Sequence, residues 1–101
     1  MRMLITVRMP NERFNAAVRD GTVGSKIRSI LETTKPESVY FTEQCGQRCA
    51  TIIADLPTTS AIPALAEPWF LAFDAEVQFH PAMTLEDLGK AGLEQLGKQW
   101  R

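Results

Sequence analysis

The chain has 101 residues, of which 45% are hydrophobic and 23% charged, and its formal net charge is −1. This size and balance are typical of one globular domain over residues 1–101, and they exclude a disordered, collagen-like or coiled-coil chain. No apolar run approaches the roughly 18 residues that a membrane span needs. The N-terminus also lacks the cleavage site of a signal peptide, so we expect a cytoplasmic protein with no membrane partner.

The distribution of charge argues against a nucleic-acid partner. Residues 1–50 carry eight Lys and Arg against five Asp and Glu, whereas residues 51–101 carry three against seven. Nucleic-acid binders concentrate positive charge because neutralising phosphates supplies much of their affinity. This chain has no such basic cluster.

The first third of the chain predicts one strand and two helices. Apolar residues alternate with others from Met3 to Met9, which is the period of a half-buried strand. A short helix is expected over residues 12–20. A second helix begins near Ser25 and ends before Pro36, because the residue preceding a proline is disfavoured in helical backbone.

The middle of the chain predicts a β-hairpin. Val39–Glu43 and Cys49–Leu56 are rich in the residues that strands prefer. The polar segment between them, residues 45–48, contains a glycine and is the expected turn.

A third helix, a fourth strand and a C-terminal helix complete the pattern. The helix is expected from about Ser60 to Phe73, and alternation returns over residues 75–80. Thr84–Asp87 has the form of a capping box, which opens a helical extension over about residues 84–100. Three glycines weaken this extension, so it needs packing against another surface to persist.

This order of elements is that of the ferredoxin-like α+β fold, βαββαβ, with an antiparallel sheet and an added C-terminal helix. Its helices cover one face of the sheet, and the other face is left open. A one-residue shift of the hairpin register would replace Tyr40 and Thr42 on the open face by Val39 and Phe41. By strand parity, the open face carries Leu4, Thr6, Arg8, Tyr40, Thr42, Gln44, Glu76, Gln78 and His80.

Polar and aromatic side chains on the open face form the predicted ligand site, with Leu4 as its apolar floor. Such a mixture suits a small aromatic or anionic ligand. The alternative is a face that is only solvated or packed in a dimer, as one face of an antiparallel sheet often is. The site residues are Arg8, Tyr40, Thr42, Glu76, Gln78 and His80.

Three of these residues would carry the chemistry, and each has a structural alternative. Arg8 would hold a carboxylate through paired hydrogen bonds, or it forms an ion pair with Glu76 across the strands. His80 is the only histidine and would act as a general base, or it is an exposed residue at a strand end. Tyr40 would donate its hydroxyl to the ligand, or it packs in the core.

The sequence predicts neither a metal site nor a cofactor. Cys45 and Cys49 supply only two thiols, whereas structural zinc takes four ligands. Their spacing is not the Cys-x-x-Cys of redox motifs, so free thiols are expected, with a disulfide as the alternative. No phosphate-binding glycine loop, nucleophile elbow or paired-carboxylate motif is present.

Three segments carry a resemblance to a known superfamily: residues 35–41 (KPESVYF), 67–70 (EPWF) and 81–88 (PAMTLEDL). With the length and the order of elements, they make the chain resemble the dimeric α+β-barrel proteins, near muconolactone isomerases and antibiotic-biosynthesis monooxygenases. The resemblance implies a homodimer whose two sheets face each other, with the C-terminal segment lying against the partner. It carries over no catalytic residue, because no catalytic motif matches.

These observations favour a cytoplasmic homodimer that binds a small organic ligand through Arg8, Tyr40 and His80. The enzymatic alternative is a cofactor-free isomerase or monooxygenase acting on an aromatic or lactone-like compound. In that enzyme His80 would move a proton and Arg8 would anchor an anionic group. The third alternative is a structural or partner-binding dimer without pocket chemistry.

Overall fold

A four-stranded antiparallel sheet, covered on one face by three helices, forms the body of the computed structural model, which describes all residues, Met1–Arg101. The strand order is β2-β3-β1-β4, so β1 and β3 are central and β2 and β4 are the edges. The α+β, ferredoxin-like arrangement predicted from the sequence is therefore present. The strands are β1 (Arg2–Met9), β2 (Ser38–Gln44), β3 (Gln47–Asp55) and β4 (Glu76–Pro81). The covering helices are α1 (Asn11–Asp20), α2 (Val23–Thr34) and α3 (Ile62–Phe73), the last preceded by a 3-10 turn at Thr59–Ala61.

The core lies between β1 and the helices. Every second residue of β1 is buried, from Met3 to Met9, as its alternation predicted. Trp69 and Phe73 of α3 belong to the same core, with ring centroids 6.2 Å apart. Phe73 also stacks on Phe14 of α1 at 5.3 Å. Burying one such ring stabilises the fold by about 2–3 kcal/mol, so these aromatic residues hold α1 and α3 to the sheet.

The hairpin turn is tighter than the sequence predicted. It consists of Cys45-Gly46 alone, not of residues 45–48, and β3 already begins at Gln47. Both turn residues have positive φ, 53° and 76°, which is the type I′ geometry that matches the twist of paired strands. The shorter turn places Arg48 within β3, opposite Met9 and on the helix-covered side of the sheet.

The chain after β4, residues 82–101, forms a C-terminal segment that we call the arm. It contains two short helices, α4 (Leu85–Gly89) and α5 (Leu93–Gln99), where the sequence predicted one continuous helix. The break falls at Gly92, whose φ of 73° is outside the helical region. The prediction of a single helix is wrong because Gly92 adopts left-handed backbone and separates two helices, whereas a low helix propensity alone would only weaken one.

The start of α4 is capped as predicted. The backbone nitrogen of Asp87 donates to Thr84 Oγ1, and the backbone nitrogen of Thr84 donates to Asp87 Oδ2, both at 3.1 Å. No arm residue belongs to the core. The radius of gyration is 17.0 Å, whereas a compact chain of this length has about 13 Å. The arm is therefore locally folded but projects away from the body. None of the helices has the length and apolar character that crossing a membrane requires.

Candidate functional site

The open face of the sheet carries all six residues of the predicted ligand site. The hairpin register is the one expected, because Tyr40 and Thr42 pair with open-face residues of β3. Strand pairing aligns the open-face side chains in three rows: Thr42, Cys49, Arg8 and Glu76; then Tyr40, Thr51, Thr6 and Gln78; then Ser38, Ile53, Leu4 and His80.

The sheet nevertheless separates these six residues into two groups. Tyr40 and Thr42 lie on edge strand β2. Glu76, Gln78 and His80 lie on the opposite edge strand, β4. Neighbouring strands are about 4.8 Å apart, so the backbones of the two groups are about 14 Å apart. Within one chain, a small ligand cannot contact both groups at once. Arg8, on β1, lies beside the β4 group.

Arg8 forms a cross-strand ion pair with Glu76, between Nη2 and Oε2. The hydrogen bond and the negative charge of Glu76 raise the pKa of the Arg8 guanidinium above its ordinary value, so the side chain stays charged. This is the structural alternative that the sequence predicted for Arg8. The hollow beside the pair has about 150 Å³ and is lined by Thr6, Arg8, Gln44, Cys45, Glu76 and Gln78. It is smaller than the roughly 300 Å³ at which ligand pockets begin.

The other two proposed chemical groups have no side-chain partners. His80 is exposed on β4 opposite Leu4 and lines none of the three principal cavities. The side chain of Tyr40 is 70% exposed and belongs to no part of the core. No neighbouring group orients the imidazole or the phenol, so their roles in binding or catalysis stay predictions.

The largest cavity lies on the other side of the sheet, between α1, α2 and the β2-β3 hairpin, and we call it the α2 groove. Its volume is about 770 Å³, within the range of about 300–1,000 Å³ that is typical of small-molecule sites. Its charged side chains are Arg28, Glu32 and Arg48, and Gly24 and Thr42, the latter a residue of the predicted ligand site, also line it. Its apolar lining is Met9, Phe14, Ile27, Leu31, Phe41 and Cys49. An apolar lining with a few polar groups is the usual composition of a ligand site.

The groove has room because two positions do not fill it. Gly24 lies on α2 at the groove, and a Cβ built there would meet no atom within 4 Å. Phe41 points to the helix side of β2 but is still 52% exposed, so no helix covers it fully. Both residues therefore leave apolar volume accessible between α2 and the hairpin.

The groove contains one carboxylate, that of Glu32, and two arginines that form no salt bridge. Arg48 Nη1 donates to Asn15 Oδ1 at 2.7 Å, and its guanidinium carbon lies 4.4 Å from the centre of the Phe14 ring. Arg28 is exposed on α2, and neither arginine has a carboxylate within 4.0 Å. A guanidinium has five N–H donors, so both retain donors that could bind an anionic group of a ligand.

Sequence reasoning missed this groove. Assigning residues 45–48 to the turn removed Arg48 from the strand. The available signal was the alternation of Ala50, Ile52 and Ala54, which extends back to Arg48 and puts its guanidinium on the helix side. The space between a helix and a sheet depends on how the two pack, which periodicity does not report.

The two cysteines lie at different cavities: Cys49 lines the α2 groove, and Cys45 lines the hollow beside Arg8. Both cysteines are free thiols, Cys45 exposed and Cys49 buried. The structure contains no group of three or more His, Cys, Asp or Glu side chains that could hold a metal ion.

Comparison with known proteins assigns the chain to no family, because no family model matches it and no curated protein matches it at a significant level. The function is therefore argued from the geometry of the groove and the sheet.

Proposed function

We propose that the protein is a cytoplasmic homodimer that binds a small organic anion with an aromatic or branched apolar body in the α2 groove. The observation that carries this proposal is an apolar cavity of about 770 Å³ whose lining holds two arginines that form no salt bridge and a single carboxylate, that of Glu32. The apolar lining supplies affinity through burial, and the guanidinium groups of Arg28 and Arg48 select and orient the anionic end.

The charge of the ligand gives a measurable preference. A hydrogen bond to a charged group contributes about 1.5–3 kcal/mol, which corresponds to a preference of about 10- to 100-fold for the anion over a neutral analogue. Because Arg28 is exposed, water screens its charge, and we expect the lower end of that range.

The open face is assigned to the contact between two chains, in line with the resemblance to dimeric α+β-barrel proteins. If the sheets meet about a twofold axis parallel to the strands, β2 of one chain lies over β4 of the other. Tyr40 and Thr42 would then approach the Glu76, Gln78 and His80 of the other chain, so the polar residues of the open face would belong to the dimer contact while the ligand binds in the α2 groove. We propose binding as the function, because within one chain His80 lies opposite the apolar Leu4 and has no side-chain hydrogen bond.

Calorimetric titration with 2-naphthoate, and with neutral 2-naphthalenemethanol as its matched analogue, tests the proposal. We expect the wild-type protein to bind the carboxylate at least tenfold more tightly than the alcohol. Gly24→Leu places a four-carbon side chain in the groove and should weaken binding at least tenfold, while Ala16→Leu introduces a leucine at an exposed position of α1 and should not. Replacing both Arg28 and Arg48 by Gln should remove the preference for the carboxylate.

Two outcomes would overturn the proposal. One is unchanged binding of 2-naphthoate by the Gly24→Leu variant. The other is loss of binding on Arg8→Ala or His80→Ala with no effect of Gly24→Leu, which would place the ligand on the open face.

A further inference from the structure

Glu32 is the only carboxylate in the lining of the α2 groove, and the anion proposed above makes no use of it. The side chain is exposed, and no basic group lies within 4.0 Å of it. A free carboxylate repels a ligand that carries only negative charge. Glu32 therefore either weakens binding in the groove or meets a second group of the ligand.

Arg28 is the basic residue best placed in the sequence to neutralise Glu32, because the two are four residues apart on α2 and both line the groove. They nevertheless form no salt bridge. Such a pair is more favourable when the acid precedes the base, and here the base precedes the acid. Glu86 and Lys90 of the arm have the favourable order and do pair, at 3.5 Å. The charge of Glu32 is thus free to meet a ligand.

The charges of Arg48 and Glu32 lie towards opposite ends of the groove. Arg48 pairs with the last residue of β1, beside the hairpin turn. Thr33, which follows Glu32, lines another cavity together with Asp55, and Asp55 pairs with the first residue of β1. The groove is therefore positive at the end near the turn and negative at the end where α2 finishes.

The helix α2 reinforces this order of charges. It runs along the groove from Gly24 to Glu32, and these eight steps of helix rise about 12 Å. The partial charge of a helix is positive at its N-terminal end and negative at its C-terminal end. No basic residue occupies the last turn of α2, and Lys35, which follows that turn, does not line the groove. The Glu32 end of the groove therefore favours a cation.

We infer that the ligand of the α2 groove is zwitterionic, with a carboxylate at the Arg48 end of an aromatic body and an ammonium group at the Glu32 end. The inference rests on the proposed function, because it concerns the same site and the same anionic group. The rings of Phe14 and Phe41 line the wall of the groove and suit the aromatic body. The chemical class is an aromatic acid with an amine at the far end, and not an α-amino acid, in which the two charges lie side by side.

Calorimetric titration with 6-(aminomethyl)-2-naphthoate, and with 6-methyl-2-naphthoate as the matched analogue without the ammonium group, tests the inference. An exposed ion pair is weak and the helix dipole adds to it, so we expect the wild-type protein to bind the amine about three- to fivefold more tightly. Glu32→Gln should remove this preference. The matched control, Glu67→Gln at an exposed position of α3 outside the groove, should keep it. Equal binding of the two compounds by the wild-type protein, or a preference that survives Glu32→Gln, overturns the inference.

Reversing the charge of residue 32 gives a second test, with a result that partial unfolding does not imitate. The wild-type protein should bind naphthalene-2,6-dicarboxylate more weakly than 2-naphthoate, because the second carboxylate meets Glu32. Glu32→Lys should invert this order, whereas Glu67→Lys should leave it unchanged. A Glu32→Lys variant that still prefers 2-naphthoate contradicts the inference.

The 6-methyl compound separates this inference from the proposed function. If Gly24→Leu weakens its binding but the wild-type protein has no preference for the amine, the zwitterionic ligand is wrong and the proposed function stands. A wild-type protein that binds neither compound overturns the proposed function and, with it, this inference.

Discussion

Arg48 stands over Phe14, with its guanidinium carbon 4.4 Å from the centre of the ring. A fully buried and unpaired arginine on the helix side of a sheet would strongly destabilise the fold. This one packs its stem and the face of its guanidinium against an aromatic ring and donates to Asn15 at 2.7 Å. The charge thus reaches the α2 groove while the side chain contributes to packing.

The two contributions of Arg48 can be separated by substitution. Arg48→Met keeps an unbranched side chain over Phe14 and should change the free energy of unfolding by less than about 1.5 kcal/mol. Arg48→Ala also removes the packing of the stem on Phe14 and should lower the free energy of unfolding by more than Arg48→Met does. Urea unfolding of both variants measures the difference. Equal losses of stability would mean that the stem contributes nothing.

The two tryptophans should respond in opposite ways to truncation. Trp69 is 1% exposed in the core, so Trp69→Ala should lower the free energy of unfolding by about 3–5 kcal/mol. Trp100 is 78% exposed on the arm, and Trp100→Ala should leave the stability of the monomer within about 0.5 kcal/mol. Chemical unfolding at dilute protein concentration compares them. A large loss for Trp100→Ala would show that the arm packs on its own body.

The two cysteines should differ in reactivity towards a thiol reagent. Cys45 lies exposed in the hairpin turn, whereas Cys49 is 3% exposed on β3. We expect one thiol to react rapidly with 5,5′-dithiobis(2-nitrobenzoate) in the native protein and the second to react only on unfolding. Cys45→Ser should remove the fast phase. Two fast phases in the wild-type protein would contradict the buried position of Cys49.

Stability at acid pH should depend on Asp20 at the end of α1. The backbone nitrogen and hydroxyl of Thr22 donate to Asp20 Oδ1 at 2.9 and 2.6 Å, and these bonds hold the pKa of the carboxyl below its ordinary value of 3.8. A depressed pKa means that the ionised form stabilises the folded state, fully above pH 3.8 and progressively less as the pH falls through the folded pKa. Asp20→Asn should therefore be less stable than wild type at pH 7, and the gap should close below pH 3.8. Urea unfolding across this range measures it, and a gap independent of pH would contradict the assignment.

Local patterns predicted most of the fold. The alternation from Met3 to Met9 identified the buried side of β1, and the capping box at Thr84 identified the start of α4. The register of β2, with Tyr40 on the open face, also followed from parity. Each of these depends on residues close together in the chain, which is why the sequence was sufficient.

The features that were missed depend on turn length and on packing. A two-residue turn at Cys45-Gly46 needs two consecutive residues at positive φ, and a cysteine is an unusual residue for the first of them. The groove beside Gly24 depends on the distance between α2 and the hairpin, to which distant parts of the chain contribute. Burial of Cys49 on the open face likewise follows from neighbours on adjacent strands, Thr42 and Arg8.

The ligand site in the α2 groove is tested most directly by an amide NMR titration with 2-naphthoate. Saturable shifts are expected at Gly24, Arg28 and Phe41, which lie at the groove, with little change at Gln78 and His80 on β4. Shifts centred on Gln78 and His80, with the Gly24 resonance unmoved, would instead place the ligand on the open face of the sheet.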